Sequence, residues 1–305
     1  MKMHSEVNFI DNSHKNFNPT IAEALRTARE FLEGLNMEKP GIDCEVFMRS
    51  MLAISRAKLY AGLERNLSSQ ELENYNELIK RRSKREPVQY ILGNQEFWSL
   101  DFFVNKNVLI PRPETEGLIE KVIARAKDKN INNEPLKILD IGTGCGNIAV
   151  SIAKELKSAS IIATDISANA LKVARINAER NGVAGRIIFV QGNLFTPFAK
   201  DLKFDFIVSN PPYIPSGQID RLSPEVSKWE PRIALDGGED GLCFYRKIIG
   251  EAFNCLCDDG FIMLEIGGDQ AEGIKEIVRT HKEYSEVKIN RDYSGKDRVA
   301  EIWIR

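Results

Sequence analysis

From Pro19 to about Arg85 apolar residues recur at spacings of three and four. Ile21, Ala24, Leu25, Ala28, Phe31 and Leu32 would share one face of a helix. Breaks at Gly34, at Lys39-Pro40-Gly41 and at Gly62 divide this region into several helices, and Ser68 followed by Glu71 reads as a capping box opening the last of them. Between Pro87 and Val108 the preference turns to strands. Gln95 to Trp98, a Ser99-Leu100 turn and Asp101 to Val104 predict a β-hairpin, and Pro111 and Pro113 then precede a helix from about Thr115 to Lys127. After the polar, Asn-rich stretch Lys129 to Pro135, apolar β-rich runs alternate with helical patterns, as in a parallel sheet covered by crossover helices. The predicted strands are Lys137–Ile141, Ile161–Asp165, Ile187–Gln191, Phe204–Ser209, Phe261–Glu265, Val287–Asn290 and Val299–Ile304. Only a loop separates the last two, so the closing strand is expected to be antiparallel. The chain thus divides into a mobile tail (1–18), a helical domain (19–86), a hairpin linker (87–108) and an α/β domain (109–305).

Composition narrows the function classes. With 43% hydrophobic residues in 305, the chain can bury a substantial core. The balance of 42 Lys+Arg against 44 Asp+Glu, a net charge of -2, supplies no global field for gripping a polyanion. Sequence-specific nucleic-acid binding is therefore not expected. The run Lys80-Arg81-Arg82-Ser83-Lys84-Arg85 reads as a solvated helix end, or alternatively as a contact patch for an acidic or RNA-associated partner. No apolar run is long enough to span a bilayer and the first residues resemble no targeting segment, so a cytoplasmic, non-membrane protein, monomeric, is expected. Five cysteines and three histidines lie far apart without metal-ligand spacing, and no metal is expected. Cys255 and Cys257 read as small apolar residues near a helix end, and Cys145 as a small side chain in a glycine loop.

The chemistry is concentrated in three places. Asp140-Ile141-Gly142-Thr143-Gly144-Cys145-Gly146 follows a strand and opens a helix, where glycines let a ligand lie against bare main chain. Asp165 ends the next strand; its carboxylate could accept hydrogen bonds from both ribose hydroxyls of an adenosine-type cofactor, or could cap the helix starting near Ala168. After the third strand Asn193 is placed to bond an adenine amino group, with Leu194 or Phe195 over its face. Asn210-Pro211-Pro212-Tyr213 follows the fourth strand, where an open α/β sheet has its ligand crevice. A carboxamide or aromatic amine nitrogen is a poor nucleophile because its lone pair is delocalised. The Asn210 side-chain oxygen and the Pro211 carbonyl would accept its two N–H groups, the prolines would stiffen the loop, and Tyr213 would pack on the planar substrate group.

Together the Asp-x-Gly-x-Gly-x-Gly turn, Asp165 and Asn-Pro-Pro-Tyr resemble a Rossmann-like class I amino methyltransferase. The segments Pro87 to Gly93, Leu109 to Glu116 and Glu230 to Leu242 are similar to the HemK/PrmC family of release factor glutamine N5-methyltransferases. The resemblance runs from about Pro19 to the C-terminus. It implies a seven-stranded, mostly parallel α/β sheet with a helical substrate-docking domain. It also implies S-adenosyl-L-methionine as cofactor, S-adenosyl-L-homocysteine as product, and the glutamine in the Gly-Gly-Gln loop of a class I peptide chain release factor as substrate. On this reading Gly142, Thr143, Gly144, Cys145, Gly146, Asp165, Asn193, Leu194 and Asn210 bind the cofactor. Asn210, Pro211, Pro212 and Tyr213 hold the substrate, and Asn210, Pro211 and Tyr213 carry the chemistry. The prolines of Leu109 to Glu116 would form a rigid wall that Arg112 or Glu114 could lock. Rival readings are a ribosomal-protein glutamine methyltransferase, a nucleic-acid adenine-N6 methyltransferase, which would have to extrude its base, and a non-catalytic module that keeps the fold.

Overall fold

The computed structural model describes residues 18–129, 135–198 and 202–305. The expected tail, apart from Asn18, and most of the Asn-rich loop before Pro135 lie outside the described residues. The chain divides into two compact units, Met1–Leu92 and Gly93–Arg305.

The first unit is helical: α1 (Ile21–Gly34), α2 (Pro40–Leu52), α3 (Arg56–Ala61), α4 (Ser69–Ser83) and α5 (Val88–Leu92). Ser68 and Glu71 form the predicted capping box, and Thr20 and Glu23 form a second at the start of α1. Each satisfies two backbone N–H groups that the first helical turn leaves without partners. Ile21, Ala24, Ala28 and Leu32 are buried in a cluster with Phe47, Met48, Leu72 and Tyr75, while Leu25 and Phe31 pack at its edge. Two expectations need correction. The segment Val88–Leu92 is a helical turn, not extended: a short apolar run carries no period to separate the two, and here Tyr90 and Ile91 are buried. The basic run is a solvated face only at Lys80 and Lys84. Arg82 is buried and bonds Asp43 at 2.7 Å, Arg81 pairs with Glu86 and reaches the Ile91 carbonyl, and Arg85 donates to the carbonyls of Leu35 and Asn36. These guanidiniums brace the helical unit from within.

The second unit opens with the hairpin β1 (Asn94–Phe97) and β2 (Leu100–Phe103). Its turn is Trp98-Ser99, one residue earlier than expected, with both residues at φ 54°. A two-residue hairpin turn with both φ positive matches the twist of the strands it joins. The hairpin belongs with this unit, tied to it by Asn177, which accepts from the Phe103 amide and donates to its carbonyl. Next come α6 (Glu116–Lys129), β3 (Lys137–Ile141), α7 (Asn147–Glu155), β4 (Ser160–Asp165), α8 (Ala168–Arg180), β5 (Ile187–Gln191) and β6 (Phe204–Ser209). The unit finishes with α9 (Pro224–Ser227), α10 (Cys243–Ala252), β7 (Leu256–Glu265), α11 (Ala271–Arg279), β8 (Tyr284–Arg291) and β9 (Asp297–Ile304).

The sheet order is β5-β4-β3-β6-β7-β9-β8, parallel except for β9, which pairs antiparallel with both β7 and β8. The seven strands and the antiparallel closing strand are those the sequence predicts, although β7 begins at Leu256 rather than near Phe261. Chain order reverses direction between β3 and β6, the switch point at whose carboxyl edge open α/β sheets bind ligands. Among the described residues no helix is long and apolar enough to cross a membrane.

Candidate active site

A cleft of about 290 Å³ opens at that switch point. One wall is the glycine turn between β3 and α7. Gly142, Gly144 and Gly146 have φ of 71°, 57° and 83°, a left-handed conformation that side chains resist. The three glycines do different work. A Cβ added to Gly142 would meet nothing within 4 Å and one on Gly144 only the Gly142 carbonyl, so both leave open space in the cleft. A Cβ on Gly146 would lie 3.1 Å from the Ala174 Cβ, so Gly146 lets α7 approach α8 and does not line the cleft.

Hydrogen bonds fix the turn. Thr143 donates through its amide to the Thr164 carbonyl (2.8 Å) and through Oγ1 to Asp140 (2.6 Å). The Gly144 amide donates to Asp165 Oδ2 (2.9 Å), and Asn177 donates to the Cys145 carbonyl (2.8 Å). Asp165 therefore holds the turn while its carboxylate borders the cleft. The cap of α8 is Ser167, whose hydroxyl accepts from the Ala170 amide. Burial raises the Asp165 pKa, opposed by the amides that donate to it. Asp140, fully buried, is pushed up to about 7 by desolvation. The Cys145 thiol is pushed up to about 12 for the same reason, which leaves it protonated and a poor nucleophile.

Beyond β5 the cleft is lined by Asn193 and Leu194, whereas Phe195 turns into the core beneath the sheet. Leu194 has φ 51°, strained for a branched side chain and held at the cleft edge. Across the switch point the Ser209 hydroxyl donates to the Ile141 carbonyl (2.7 Å), fixing the strand from which Asn210, Pro211 and Pro212 enter the lining. Asn210 Nδ2 donates to Thr115 Oγ1 at 3.2 Å. Tyr213 is placed elsewhere: it does not line the cleft and packs against the core, with its hydroxyl pushed up to about 12 chiefly by burial.

Two of the segments quoted for the family resemblance, Leu109 to Glu116 and Glu230 to Leu242, meet behind this wall. Arg112 pairs with the buried Glu230, which also accepts from the Ile110 amide, so Arg112 and not the exposed Glu114 locks the proline wall. The Asp236 to Gly241 loop packs on the main chain of Tyr213; a Cβ on Gly241 would come within 2.4 Å of the Tyr213 carbonyl oxygen. Gln270 donates to the carbonyls of both Tyr213 (2.9 Å) and Gly241 (3.2 Å), clamping the two loops together. Sequence reading did not single out Asn177, Thr115, Glu265 or Gln270. For Asn177 and Glu265 the one legible signal was a polar residue in an otherwise apolar helix face or strand, too common to stand alone.

A glycine turn with an acid at the end of the next strand, on a parallel sheet closed by an antiparallel strand, defines the class: a Rossmann-like methyltransferase fold. Known proteins agree. The family of PrmC N-terminal domains matches residues 23–93, and the methyltransferase small domain matches residues 123–223. The chain is 41% identical over 280 residues to the release factor glutamine methyltransferase of Geobacter sulfurreducens, spanning 92% of this chain and 95% of that protein. It is 40% identical over 279 residues to the same-named protein of Moorella thermoacetica, spanning 92% and 96%. Among solved structures, the hMettl16 catalytic domain in complex with a MAT2A 3'UTR hairpin superposes with a TM-score of 0.55 at 16% identity, over 85% of this chain and 90% of that one, a likeness of fold alone. This chain belongs to the release factor glutamine methyltransferase family.

Family and fold imply S-adenosylmethionine as the methyl donor, and the cleft fits such a group. The space that Cβ atoms on Gly142 and Gly144 would fill is free, and Asp165 stands at its edge as a hydroxyl acceptor.

Proposed function

We propose that this protein transfers a methyl group from S-adenosylmethionine to the side-chain amide nitrogen of the glutamine in the Gly-Gly-Gln loop of a class I peptide chain release factor. The observation that carries the reading is the placement of Asn210, Pro211 and Pro212 in the same cleft as the glycine turn and Asp165. Gly142, Thr143, Gly144 and Cys145 would hold the cofactor by main chain, Asp165 by its ribose, and Asn193 and Leu194 by its adenine. When bound, the cofactor supplies an electrophilic sulfonium methyl.

The protein's own contribution is positioning and polarisation. Asn210 Oδ1 and the Pro211 carbonyl accept the two N–H groups of the substrate carboxamide, aligning its nitrogen in the cleft. As that nitrogen bonds carbon its N–H groups become more acidic, so both hydrogen bonds strengthen toward the transition state and lower the barrier rather than only tightening binding. Leu109, Pro111 and Phe244 line the cleft and exclude water. The proton leaves after transfer, to a loop acceptor or to solvent. Tyr213, packed against the core, serves through its carbonyl and ring as a support of the loop and not by stacking on the substrate.

The helical domain is proposed to dock the release factor. Replacing its exposed Ile42 and Tyr60 by serine is then expected to raise the KM for release factor and leave cofactor affinity unchanged. A monomeric, cytoplasmic enzyme without sequence-specific nucleic-acid contact completes the reading. Its test is transfer from labelled S-adenosylmethionine to a release factor with the Gly-Gly-Gln glutamine intact or changed to alanine. Label on the intact protein alone is expected; equal labelling of both refutes the substrate.

A further inference from the structure

A buried carboxamide outside the cleft ties the glycine turn to the hairpin. Asn177 is 0% exposed and stands on the otherwise apolar buried face of α8, among Ala170, Leu171, Val173, Ala174 and Ala178. Burying such a group is costly unless its polar atoms find partners, and here both do. Oδ1 accepts from the Phe103 amide (2.7 Å), while Nδ2 donates to the Phe103 carbonyl (2.9 Å) and to the Cys145 carbonyl (2.8 Å). The polarity is unambiguous, because a main-chain N–H only donates and a carbonyl only accepts. Asn177 therefore pairs with the edge of β2 as a neighbouring strand would, and spends its remaining hydrogen on the turn.

That last bond falls where the turn meets the cleft. The peptide between Cys145 and Gly146 is held at both ends: its carbonyl accepts from Asn177, and its N–H donates to the Thr143 carbonyl (2.8 Å). Gly144 and Cys145 line the cleft, and glycines on either side of Cys145 leave the main chain there unusually free to rotate unless something fixes it. The same face of α8 meets the turn again at Ala174, three residues before Asn177, against Gly146. Asn181, four residues after Asn177, supplies a comparison within the molecule. Its Nδ2 donates to the Asp101 carbonyl of the same hairpin (3.1 Å) and to the Asn177 carbonyl (2.9 Å), and neither bond reaches the turn. We propose that Asn177 is a positioning residue for the cofactor: it fixes the main chain of Gly144 and Cys145 against the hairpin, so that the cofactor meets a wall already in its bound shape. The inference deepens the methyltransferase reading and rests on it.

The test is calorimetric titration of S-adenosylhomocysteine into full-length Asn177→Ala, Asn177→Ser and Asn181→Ala, with thermal unfolding and methyl transfer to release factor for each. Serine keeps a small polar group at the site, so that one variant is spared the fully apolar gap. All three should lower Tm, since each loosens the hairpin. The two Asn177 variants are expected to bind S-adenosylhomocysteine about 10-fold more weakly, the worth of one well-placed hydrogen bond, with kcat at saturating cofactor and the KM for release factor near wild type. Asn181→Ala is expected to keep wild-type affinity for S-adenosylhomocysteine. Unchanged affinity in the Asn177 variants overturns the positioning role and leaves Asn177 a staple of the hairpin. An equal loss of affinity in Asn181→Ala overturns it in favour of a general loosening of the fold. Absence of both binding and methyl transfer in the wild type instead refutes the reading on which the inference rests.

Discussion

Along the glycine turn the cleft is lined by main chain; along the Asn210 loop it is lined by a side chain and two prolines that segments far away in sequence hold in place. The first wall is nearly self-contained. Its shape follows from three left-handed glycines and from bonds to the end of the neighbouring strand β4, Thr143 to Thr164 and Gly144 to Asp165. The second is assembled from Thr115, Glu230, Gly241 and Gln270, which are brought to it only in the folded protein. A wall that offers bare backbone suits a ligand that is the same for every turnover.

Substitutions can break this contrast. The largest effect is expected for Asn210→Ala: turnover should drop by about 10²–10³, or roughly 3–4 kcal/mol, the worth of a deleted preorganised hydrogen bond, while cofactor affinity stays close to wild type. Single-turnover transfer and cofactor titration on one preparation check it. Arg112→Leu should act on the same wall through stability, because it strands the buried Glu230 carboxylate. About 3 kcal/mol is expected, the lower end for a broken buried pair since Arg112 is partly exposed, read from urea unfolding.

On the backbone wall the pattern should reverse. Asp165→Ala removes both a hydroxyl acceptor and the partner of the Gly144 amide, and should weaken cofactor binding by about 1.5–3 kcal/mol in calorimetry with little effect on the intrinsic step. Gly142→Ala and Gly146→Ala then sharpen the division within the turn. The first puts a methyl group into open cleft and should show in cofactor affinity. The second presses on Ala174 and should show as a lowered Tm, about 1–3 kcal/mol.

A further effect is the pH dependence of stability. Asp140 and Glu265 are both raised to about 7 by burial. Between their unfolded values near 4 and about 7 the folded state binds more protons than the unfolded one, so their contribution is present below pH 4 and is lost as pH rises through 7. Asp140→Asn and Glu265→Gln should each flatten that part of the stability profile measured by denaturant at several pH values; an unchanged slope would show that the two carboxyls are solvated.

Much of the fold was legible in the chain. Seven strands, the antiparallel closure and the helices up to Ser83 follow from apolar periodicity and caps, both local properties. The errors fell where local pattern is ambiguous: Val88–Leu92 has too few residues to show a period, and the hairpin turn depends on which pair can adopt positive φ. The basic run failed differently. Nothing near Arg82 in sequence announces Asp43, its partner at 2.7 Å.

The site divides the same way. Sequence alone determined the glycine turn, Asp165 and the Asn-Pro-Pro loop, because main-chain freedom, a strand-end acid and proline rigidity are written in consecutive residues. Tertiary structure alone decided that Gly146 serves helix packing, that Phe195 and Tyr213 leave the cleft for the core, and that Thr115 holds the Asn210 carboxamide. Side-chain direction and hydrogen-bond polarity depend on groups far apart in sequence, 95 positions for Asn210 and Thr115, and only packing brings such groups within the few ångströms over which a hydrogen bond acts.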